Sequence, residues 1–116
     1  MADSFVLNLP MAPSVNRLWR MGKGKMYKST EYGAWISVCS LIARVNKPVP
    51  ILGKYKLLIE VQRPDKRRRD IDNFIKATSD LLEHAKLIEN DCFCEEVTAR
   101  WAGSGSNMIV TVEKIT

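Results

Sequence analysis

Cysteine, histidine and long apolar runs are scarce in this sequence, and these scarcities exclude several classes of protein. There are only three cysteines and one histidine among 116 residues. Three thiols cannot all pair with one another, and the spacing of Cys92 and Cys94 suits neither an ordinary disulfide nor a common zinc motif. We therefore expect Cys39, Cys92 and Cys94 to be reduced thiols of a cytosolic protein.

The apolar runs are too short to cross a bilayer. A membrane-spanning helix needs about 20 apolar residues in succession, whereas the uninterrupted apolar stretches of this chain extend over only a few residues. Residues 1–4 lack the basic leader and apolar block of a secretory signal. We expect a cytoplasmic protein with no membrane segment and no export signal.

The length and composition are those of one globular domain. Chains of roughly 100 to 150 residues close a single hydrophobic core. With 46% hydrophobic and 27% charged residues, the chain lies far from the compositions of disordered and membrane proteins. We expect residues 1–116 to form a single small domain.

Positive charge exceeds negative charge and is unevenly distributed. Lysine and arginine outnumber the acidic residues by 18 to 13, which gives a net charge of +5 and a pI near 9.3. Residues 17–28 contain five basic residues and no acid, and residues 63–69 contain five more with Asp65 as the only acid. Such a distribution favours a polyanionic partner such as nucleic acid.

The apolar periodicity predicts alternating strands and helices. Phe5, Leu7 and Leu9 alternate with outward positions and predict a first strand. Residues 10–28 have no period and predict a basic loop, with at most a short strand around residues 26–27. Residues 55–61 alternate again and predict a second strand.

Two amphipathic helices are predicted from spacings of three and four residues. The first begins at a cap formed by Ser29 or Thr30 and ends before Pro48. The second has Asp70 as its N-cap. The expected buried positions are Trp35, Val38, Cys39, Ile42 and Val45 in the first helix, and Ile71, Phe74, Ile75, Thr78, Leu81, Leu82 and Ala85 in the second.

The end of the chain reads as a β-hairpin. Residues 97–101 alternate, and the glycine-rich residues 103–107 predict a turn into a last strand over residues 108–115. The element order is therefore β-α-β-α-β-β. This order predicts an α/β (α+β) domain in which a mixed β-sheet packs against two helices.

The densest group of charged side chains lies at residues 67–73, which read RRRDIDN. Two carboxylates, Asp70 and Asp72, follow directly on three guanidinium groups at the predicted junction of strand and helix. Both carboxylates can reach one point near the helix start. Hard cations such as Mg²⁺ are held by a few carboxylates together with a substrate phosphate, so this pattern predicts a divalent-cation site.

Further charged residues extend this group. Lys76 follows Asp72 by four residues and shares an exposed helical face with it and with Asp80. We expect the loop after the second helix to fold back to the helix start, where Glu89 or Asp91 can supply a third carboxylate to the pocket of Asp70 and Asp72. Lys76 can then offset negative charge in the transition state of phosphodiester hydrolysis.

A purely structural interpretation explains the same residues separately. Asp70 can be an N-cap while Asp72 offsets the positive helix end, with no metal involved. Lys76 is then a surface ion-pair partner worth about 0.3 to 0.5 kcal/mol, and His84 is a surface or capping residue. The combination favours function, because carboxylates alone repel DNA, whereas arginines bind phosphate while the acids hold a metal ion.

These motifs resemble those of the RusA family of Holliday junction resolvases. The resemblance extends over nearly the whole chain and rests on the Leu9-Pro10 pair, residues 13–17 (PSVNR), residues 64–73 (PDKRRRDIDN), Lys76, and Asp91 after an apolar pair. The pattern Arg-Arg-Asp-x-Asp-Asn with a downstream lysine is the specific part. Where family members often carry a pair of aspartates, this chain has Asn90 before Asp91.

The resemblance implies roles for particular residues. Asp70, Asp72 and Asp91 are implied to be the catalytic acids that bind Mg²⁺, for which Mn²⁺ can substitute, and Lys76 is implied to be needed for cleavage. The resemblance also selects Asp91 over Glu89. It further implies a homodimer and a bacterial or phage origin.

We therefore expect a Mg²⁺-dependent endonuclease that cuts paired strands of four-way junction DNA. Each chain has one candidate site, and a two-fold protein suits a two-fold junction that needs two symmetric cuts. A basic surface is expected to contact DNA phosphates. The residues expected to bind DNA are Asn16, Arg17, Arg20, Lys23, Lys25, Arg67, Arg68, Arg69 and Asn73.

Two alternatives stay open at the level of sequence. One is a non-catalytic basic nucleic-acid-binding protein whose acids are only helix caps. The other is a nuclease for branched DNA without a preference for four-way junctions. Metal-dependent cleavage separates the first alternative, and competition between junction, fork and linear duplex separates the second.

Overall fold

The chain folds into a four-stranded mixed sheet, a separate two-stranded hairpin and two α-helices. The computed structural model describes residues 3–13, 19–22, 25–28 and 30–115, with the backbone alone between residues 19 and 28. The elements are β1 (Ser4–Pro10), β2 (Trp19–Gly22), β3 (Lys25–Lys28), α1 (Thr30–Asn46), β4 (Tyr55–Arg63), α2 (Asn73–His84), β5 (Cys94–Ser104) and β6 (Asn107–Lys114). A 3-10 turn at Asp91–Phe93 precedes β5. The predicted α+β class, with a mixed sheet and two helices, is confirmed.

The sheet order is β1-β6-β4-β5, which corrects the predicted C-terminal hairpin. β4 pairs with β5 in parallel and with β6 in antiparallel fashion, so β5 and β6 lie on opposite sides of β4. Their connection crosses the end of β4, where the Gly105 amide donates to the carbonyl of Arg63. A Cβ at Gly105 would overlap the Gln62 side chain, which explains why a glycine lies at this crossing. The glycine-rich turn between β5 and β6 was predicted correctly. The residues of a turn do not specify with which strand the following strand pairs.

One face of the sheet is buried under both helices. One row of paired residues crosses the sheet from β1 to β5 and consists of Leu7, Val110, Ile59 and Ala99. All of these except Ala99 are fully buried. The alternate residues of β1 are exposed, with Val6 60% accessible. This alternation is the two-residue period from which β1 and β4 were predicted.

The segment predicted as a basic loop contains a hairpin. β2 and β3 pair with each other in antiparallel fashion and form their own two-stranded sheet. The short strand expected around residues 26–27 is confirmed as β3, whereas β2 was missed. Strands outside the main sheet need not carry the alternating apolar pattern by which buried strands are recognised.

The buried stripe of α1 is rotated from the predicted one. Trp35 and Cys39 are buried as expected, but Val38 and Val45 are 48% and 80% exposed. The buried positions are Tyr32, Trp35, Ile36, Cys39 and Ala43. The apolar surface of α1 extends around more than one side, and only contact with β1 and α2 decides which side is covered.

The buried side of α2 agrees with most of the prediction, although Ile71, Ile75 and Ala85 are only partly buried and the buried Ala77 was not predicted. Phe74, Thr78, Leu81 and Leu82 are all buried, and the Thr78 hydroxyl donates to the carbonyl of Phe74 at 2.7 Å. Phe74 meets Trp101 of β5 edge-on with ring centroids 5.9 Å apart. The N-terminal end of α2 is thus anchored over β5.

The C-terminal end of α2 is closed by a Schellman motif. The Lys86 amide donates to the carbonyl of Glu83 at 3.0 Å, and the Leu87 amide donates to that of Leu82 at 2.9 Å. Lys86 has a φ of 59°, in the left-handed region where glycine is preferred. The buried Leu87 completes the motif by packing in the core.

The three cysteines are free thiols, as the sequence predicted. Cys39 is buried, and burial raises the pKa of its thiol to about 12. No helix among the described residues is long and apolar enough to span a membrane.

Replacing Lys86 by glycine is expected to stabilise the protein. The substitution removes the left-handed strain of a residue with a Cβ and adds back some freedom of the unfolded chain, for a net gain of about 0.5 to 1 kcal/mol. Urea unfolding followed by circular dichroism measures the difference. The control Lys54→Gly, at an exposed lysine without a positive φ, is expected to lower stability, and a lower midpoint for Lys86→Gly would contradict the assignment of strain.

Candidate active site

Asp70 and Asp72 lie in a turn that leads directly into α2. The amide of Asn73 donates to the carbonyl of Asp70 at 3.1 Å, and the amide of Ile75 donates to that of Asp72 at 3.2 Å. The helix begins at Asn73, so its N-cap is Asp72. The prediction that Asp70 is the N-cap is wrong, because one further turn of chain separates Asp70 from the first helical residue.

The carboxylates of these two aspartates are not used in local structure. The Asp72 side chain makes no capping hydrogen bond, although it occupies the cap position. Both residues are exposed. Within residues 30–115, neither carboxylate takes part in a hydrogen bond or an ion pair of the fold. Two hard oxygen ligands are therefore available at the start of α2.

The preceding arginines are organised by Asp65. Its carboxylate accepts from Arg69 Nη1 at 2.6 Å and Nη2 at 3.2 Å, and from the Arg67 amide and Nε at 2.9 and 3.3 Å. These hydrogen bonds, above all the one from Arg69, hold the pKa of the Asp65 carboxyl well below its usual range. Part of the positive charge that the sequence suggested for this segment is thus neutralised within the protein.

The N-terminal arm, which follows β1 from residue 11, and the arginine segment, residues 67–69, meet at one open cleft of about 520 Å³. The Trp35 indole donates to the carbonyl of Pro10 at 2.8 Å and holds the end of β1 over α1. The cleft thereby joins two motifs that are more than fifty residues apart in sequence. Its lining residues are Met11, Ala12, Pro13, Glu31, Trp35, Arg67, Arg69, Asn73 and Phe74.

Lys76 is held on the exposed face of α2 by Asp80. Lys76 Nζ lies 3.4 Å from Asp80 Oδ1, and the buried Tyr32 hydroxyl of α1 donates to Asp80 Oδ2 at 2.6 Å. Burial, together with this bond to a carboxylate, raises the pKa of Tyr32. The shared face of Lys76 and Asp80 was predicted, whereas the tyrosine behind them was not.

Asp91 lies at the other end of α2. It opens the 3-10 turn before β5, and its amide donates to Glu83 Oε1 at 2.8 Å, one residue before the end of the helix. The Asn90 side chain caps the same turn by accepting from the Cys92 amide at 2.9 Å. Asn90 thus has a structural role that an aspartate could equally perform.

The three aspartates do not converge within one chain. α2 has 12 residues, so its ends lie about 18 Å apart at 1.5 Å per residue. Asp72 precedes its first residue, whereas Asp91 is bound to Glu83 near its last. No group of three or more acidic, histidine or cysteine side chains in the described parts of the chain is placed to hold a metal ion. The expectation of one shared pocket in a single chain is therefore not met, and the assignment of the three as metal ligands stays a prediction.

The remaining residues predicted to bind DNA divide into two groups. Arg68 is exposed beside the cleft residues. Asn16, Arg17 and Lys23 lie outside the described residues, and for Arg20 and Lys25 the structure gives the strand but not the side chain. Only the arginine segment and Asn73 are thus placed near Asp70 and Asp72.

Sequence reasoning missed three supporting residues. Asp65 binds the guanidinium of Arg69, and Glu83 binds the backbone amide of Asp91. Tyr32 binds Asp80, the ion-pair partner of Lys76. The spacing of Asp65 and Arg69, four residues apart, was the one available signal. Tyr32 and Asp80 are 48 residues apart, and no local pattern connects them.

Comparisons with known proteins agree with these motifs. A family model described as endodeoxyribonuclease RusA matches residues 9–113. The crossover junction endodeoxyribonuclease RusA of Escherichia coli strain K12 is 34% identical over 84 residues, which are 72% of this chain and 70% of the relative. The proteins of the same name from Shigella sonnei and Enterobacteria phage 82 show the same identity over the same length. The family match includes both ends of α2.

Buried tyrosines predict a loss of stability at alkaline pH. Burial raises the pKa of Tyr32 and Tyr55 above the ordinary value of about 10, to which both return on unfolding. Their contribution is complete below about pH 10 and is lost as the pH rises further, at about 1.4 kcal/mol per pH unit for each tyrosine. Urea unfolding between about pH 9 and 11, about one unit either side of the ordinary value, measures the slope.

The variant Tyr32→Phe is expected to reduce this alkaline slope by about half. Tyr55→Phe is the matched comparison, because it removes the other buried hydroxyl. An unchanged slope in Tyr32→Phe would show that the Tyr32 hydroxyl is not held protonated against Asp80.

Proposed function

The chain belongs to the RusA family and is a Holliday junction resolving endonuclease, and we propose that Asp70, Asp72, Lys76 and Asp91 carry out its phosphodiester cleavage. The observation that carries this proposal is the pair of exposed, unpaired carboxylates at the start of α2, beside the arginine-lined cleft. Relatives named as endodeoxyribonucleases disfavour the alternative of a binding protein without turnover.

RusA-type nucleases depend on a metal ion, and we infer that the ion is Mg²⁺, with Mn²⁺ as a substitute. Asp70 and Asp72 fit this ion, because Mg²⁺ is usually bound through one or two carboxylates together with substrate phosphate and water. Neither carboxylate has to give up a hydrogen bond of the fold to act as a ligand. When bound, Mg²⁺ polarises the phosphodiester and offsets the charge that develops on the leaving oxygen.

The cleft supplies the contacts that would orient the DNA strand. Arg69 is bound to Asp65 through both terminal nitrogens, which fixes its guanidinium beside the turn. Arg67 is 80% exposed, and its terminal nitrogens, which the bond from Nε to Asp65 leaves open, can bind a phosphate on the open side. Asn73 offers its side-chain amide at the N-terminus of α2, where an anion is favoured.

Lys76 would act as a positioned positive charge. It lies one helical turn from Asp72, and Asp80 holds its ammonium at 3.4 Å. An ammonium there can stabilise the negative charge of the transition state or of the leaving oxygen. The link from Asp80 to the buried Tyr32 limits the freedom of this pair.

The separation of Asp91 from Asp70 and Asp72 favours a site completed by a second copy of the chain. Since the acids flank opposite ends of one helix, two copies with antiparallel α2 helices bring Asp91 of each towards the first two aspartates of the other. Such a homodimer has two equivalent sites related by two-fold symmetry, as paired cuts in a four-way junction require.

The substrate is branched DNA, and we propose a preference for four-way junctions over forks and linear duplex. The relatives come from bacteria and a phage, so we infer that the enzyme acts on DNA in the bacterial cytoplasm. The basic residues of the N-terminal arm would extend the phosphate contacts beyond the cleft.

Removing the charge of any one of the three aspartates is expected to abolish cleavage. Asp70→Asn, Asp72→Asn and Asp91→Asn each remove a metal ligand while keeping the shape of the side chain. Cleavage of a labelled mobile junction in Mg²⁺, mapped on all four strands, is expected to fall by at least about a hundredfold, in line with the loss of a main electrostatic contribution to catalysis. Full cleavage by all three variants would reject the site.

The same variants are expected to bind junction DNA as tightly as the unchanged protein, because loss of negative charge does not weaken phosphate contacts. Gel-shift assays in EDTA measure this. Asp3→Asn is the matched control, since it is exposed and lies at the start of β1; it is expected to keep both binding and cleavage. Loss of binding in the three site variants, with the circular dichroism spectrum intact, would contradict the proposed roles.

Mixing two inactive variants tests whether the site is shared between chains. The variants Asp70→Asn and Asp91→Asn form mixed dimers after they are unfolded and refolded together. In each mixed dimer, one site keeps all three aspartates and the other site carries both substitutions. We expect single nicks in the junction, at up to about half the initial rate expected for one site, because random exchange puts half of the dimers in the mixed form.

The control mixture contains Asp70→Asn and Asp72→Asn. Both changes lie at the same end of α2, so every site of a mixed dimer keeps one defect and no nicking is expected. If the first mixture also stays inactive while each partner is folded and dimeric, the three aspartates act within one chain and the shared site is refuted.

A further inference from the structure

A second open cavity lies between the C-terminal ends of α1 and α2. Its volume is about 510 Å³. It lies at the end of α2 that carries Glu83 and Asp91, away from the cleft beside Asp70. Its lining residues, which we call the basic pocket, are Ser40, Ala43, Arg44, Lys47, Pro48, Pro50, His84, Ala85, Lys86 and Leu87.

The basic pocket gathers basic side chains and no acid. Arg44, Lys47, His84 and Lys86 all line it. Within the described part of the chain, none of these four side chains takes part in a hydrogen bond or an ion pair. Like charges around one cavity repel one another unless an anion lies among them.

The contrast with the arginine segment is informative. Arg67 and Arg69 form the basic run that the sequence displays, yet both bind Asp65. The basic pocket has no such internal counter-ion, and its members come from two separate helix ends. The basic pocket therefore carries positive charge that no acid among its lining residues offsets.

Two of the lysines occupy strained backbone positions. Lys47 and Lys86 have φ of 49° and 59°, the only positive values for residues other than glycine among those described. Each follows the end of a helix, where glycine would adopt this conformation without strain. Both strained positions carry a lysine, and both of these lysines line the cavity.

Cations near helix C-termini also offset the helix dipole, and this effect accounts for part of the arrangement. The helix dipole does not explain why the basic residues of two helix ends line one cavity. It also does not explain why a lysine lies at both positions of positive φ. Ser40 lines the same cavity, and its hydroxyl is buried without a hydrogen-bond partner among the described residues. An incoming oxyanion would be surrounded by donors on several sides.

We propose that the basic pocket binds a backbone phosphate of the DNA substrate, at a position separate from the cleft beside Asp70 and Asp72. This inference rests on the proposed function for the identity of the polyanion. The pocket shares its end of α2 with Asp91, so a strand that passes Asp91 comes close to Lys86 and His84. The chemistry recognised is a phosphodiester, which inorganic phosphate can imitate.

Single substitutions Lys47→Gln and Lys86→Gln test the pocket in the full-length protein. Each removes one charge, keeps a polar side chain that is one atom shorter, and keeps the local backbone strain. Binding of a fluorescent four-way junction is measured in EDTA by anisotropy at several salt concentrations. We expect each variant to bind roughly 3- to 10-fold more weakly near 0.1 M salt, with a salt slope smaller by about 0.7 to 0.9 for one lost phosphate contact.

Lys56→Gln is the matched control. It removes the same charge from the open face of the sheet, where Lys56 lies 3.8 Å from Glu113. Its slope is expected to be that of the unchanged protein. Affinities and slopes of Lys47→Gln and Lys86→Gln that equal those of Lys56→Gln would overturn the proposal.

A second arm uses inorganic phosphate alone and separates a built pocket from general attraction. In amide NMR spectra, phosphate is expected to shift the signals around Lys47 and Lys86 saturably in the unchanged protein, and to do so less in either variant. Shifts that are spread evenly over all basic regions would overturn the pocket. Both experiments are run without Mg²⁺, so they do not depend on cleavage. Weaker binding by the variants would support the pocket even if the unchanged protein failed to cleave DNA. Unchanged binding together with normal cleavage would refute the pocket but not the proposed function.

Discussion

The parallel pairing of β4 with β5 is the constraint on which the arrangement of this site depends. Two parallel neighbours cannot be joined by a short turn, so the chain must return along the sheet before the second strand begins. α2 makes that return, with Phe74 packed on Trp101 at one end and Glu83 bound to the Asp91 amide at the other. The crossover thus places acidic residues at both ends of one rigid helix.

This geometry has a chemical consequence. Asp70 and Asp72 are close enough in sequence to serve one cation, while Asp91 lies near the opposite end of a helix of 12 residues, about 18 Å long. A chain that needs all three must obtain the third from elsewhere, and a second copy is the source that also supplies two-fold symmetry. The need for two symmetric cuts and the incompleteness of one chain would then have the same solution.

Charge is arranged around the helix layer in a similarly divided way. Asp65 orients Arg67 and Arg69 and offsets part of their positive charge, so the visible basic run is a structured element and not only a solvated face. Lys76 is likewise tied to Asp80 and through it to Tyr32. At the far end of α2, the lining of the basic pocket contains no acid, so its positive charge is available to an external anion.

Much of the fold follows from local patterns. The alternation of Phe5, Leu7 and Leu9 and the helical spacing from Phe74 to Leu82 both place the correct faces in the core. Patterns of this kind are read along the chain, and they fail where a choice depends on a distant neighbour. The covered side of α1 and the insertion of β6 between β1 and β4 are such choices.

The sequence by itself determined the family, the element types and the identity of the charged residues, because side-chain chemistry and periodicity are properties of the chain alone. Tertiary structure decided which of those residues meet. It joined the N-terminal arm to Arg67 and Arg69 at one cleft, separated Asp91 from Asp72, and gathered Arg44, Lys47, His84 and Lys86 into one pocket. The physical reason is that strand order and crossover direction set distances through space, and no local spacing in the sequence encodes them.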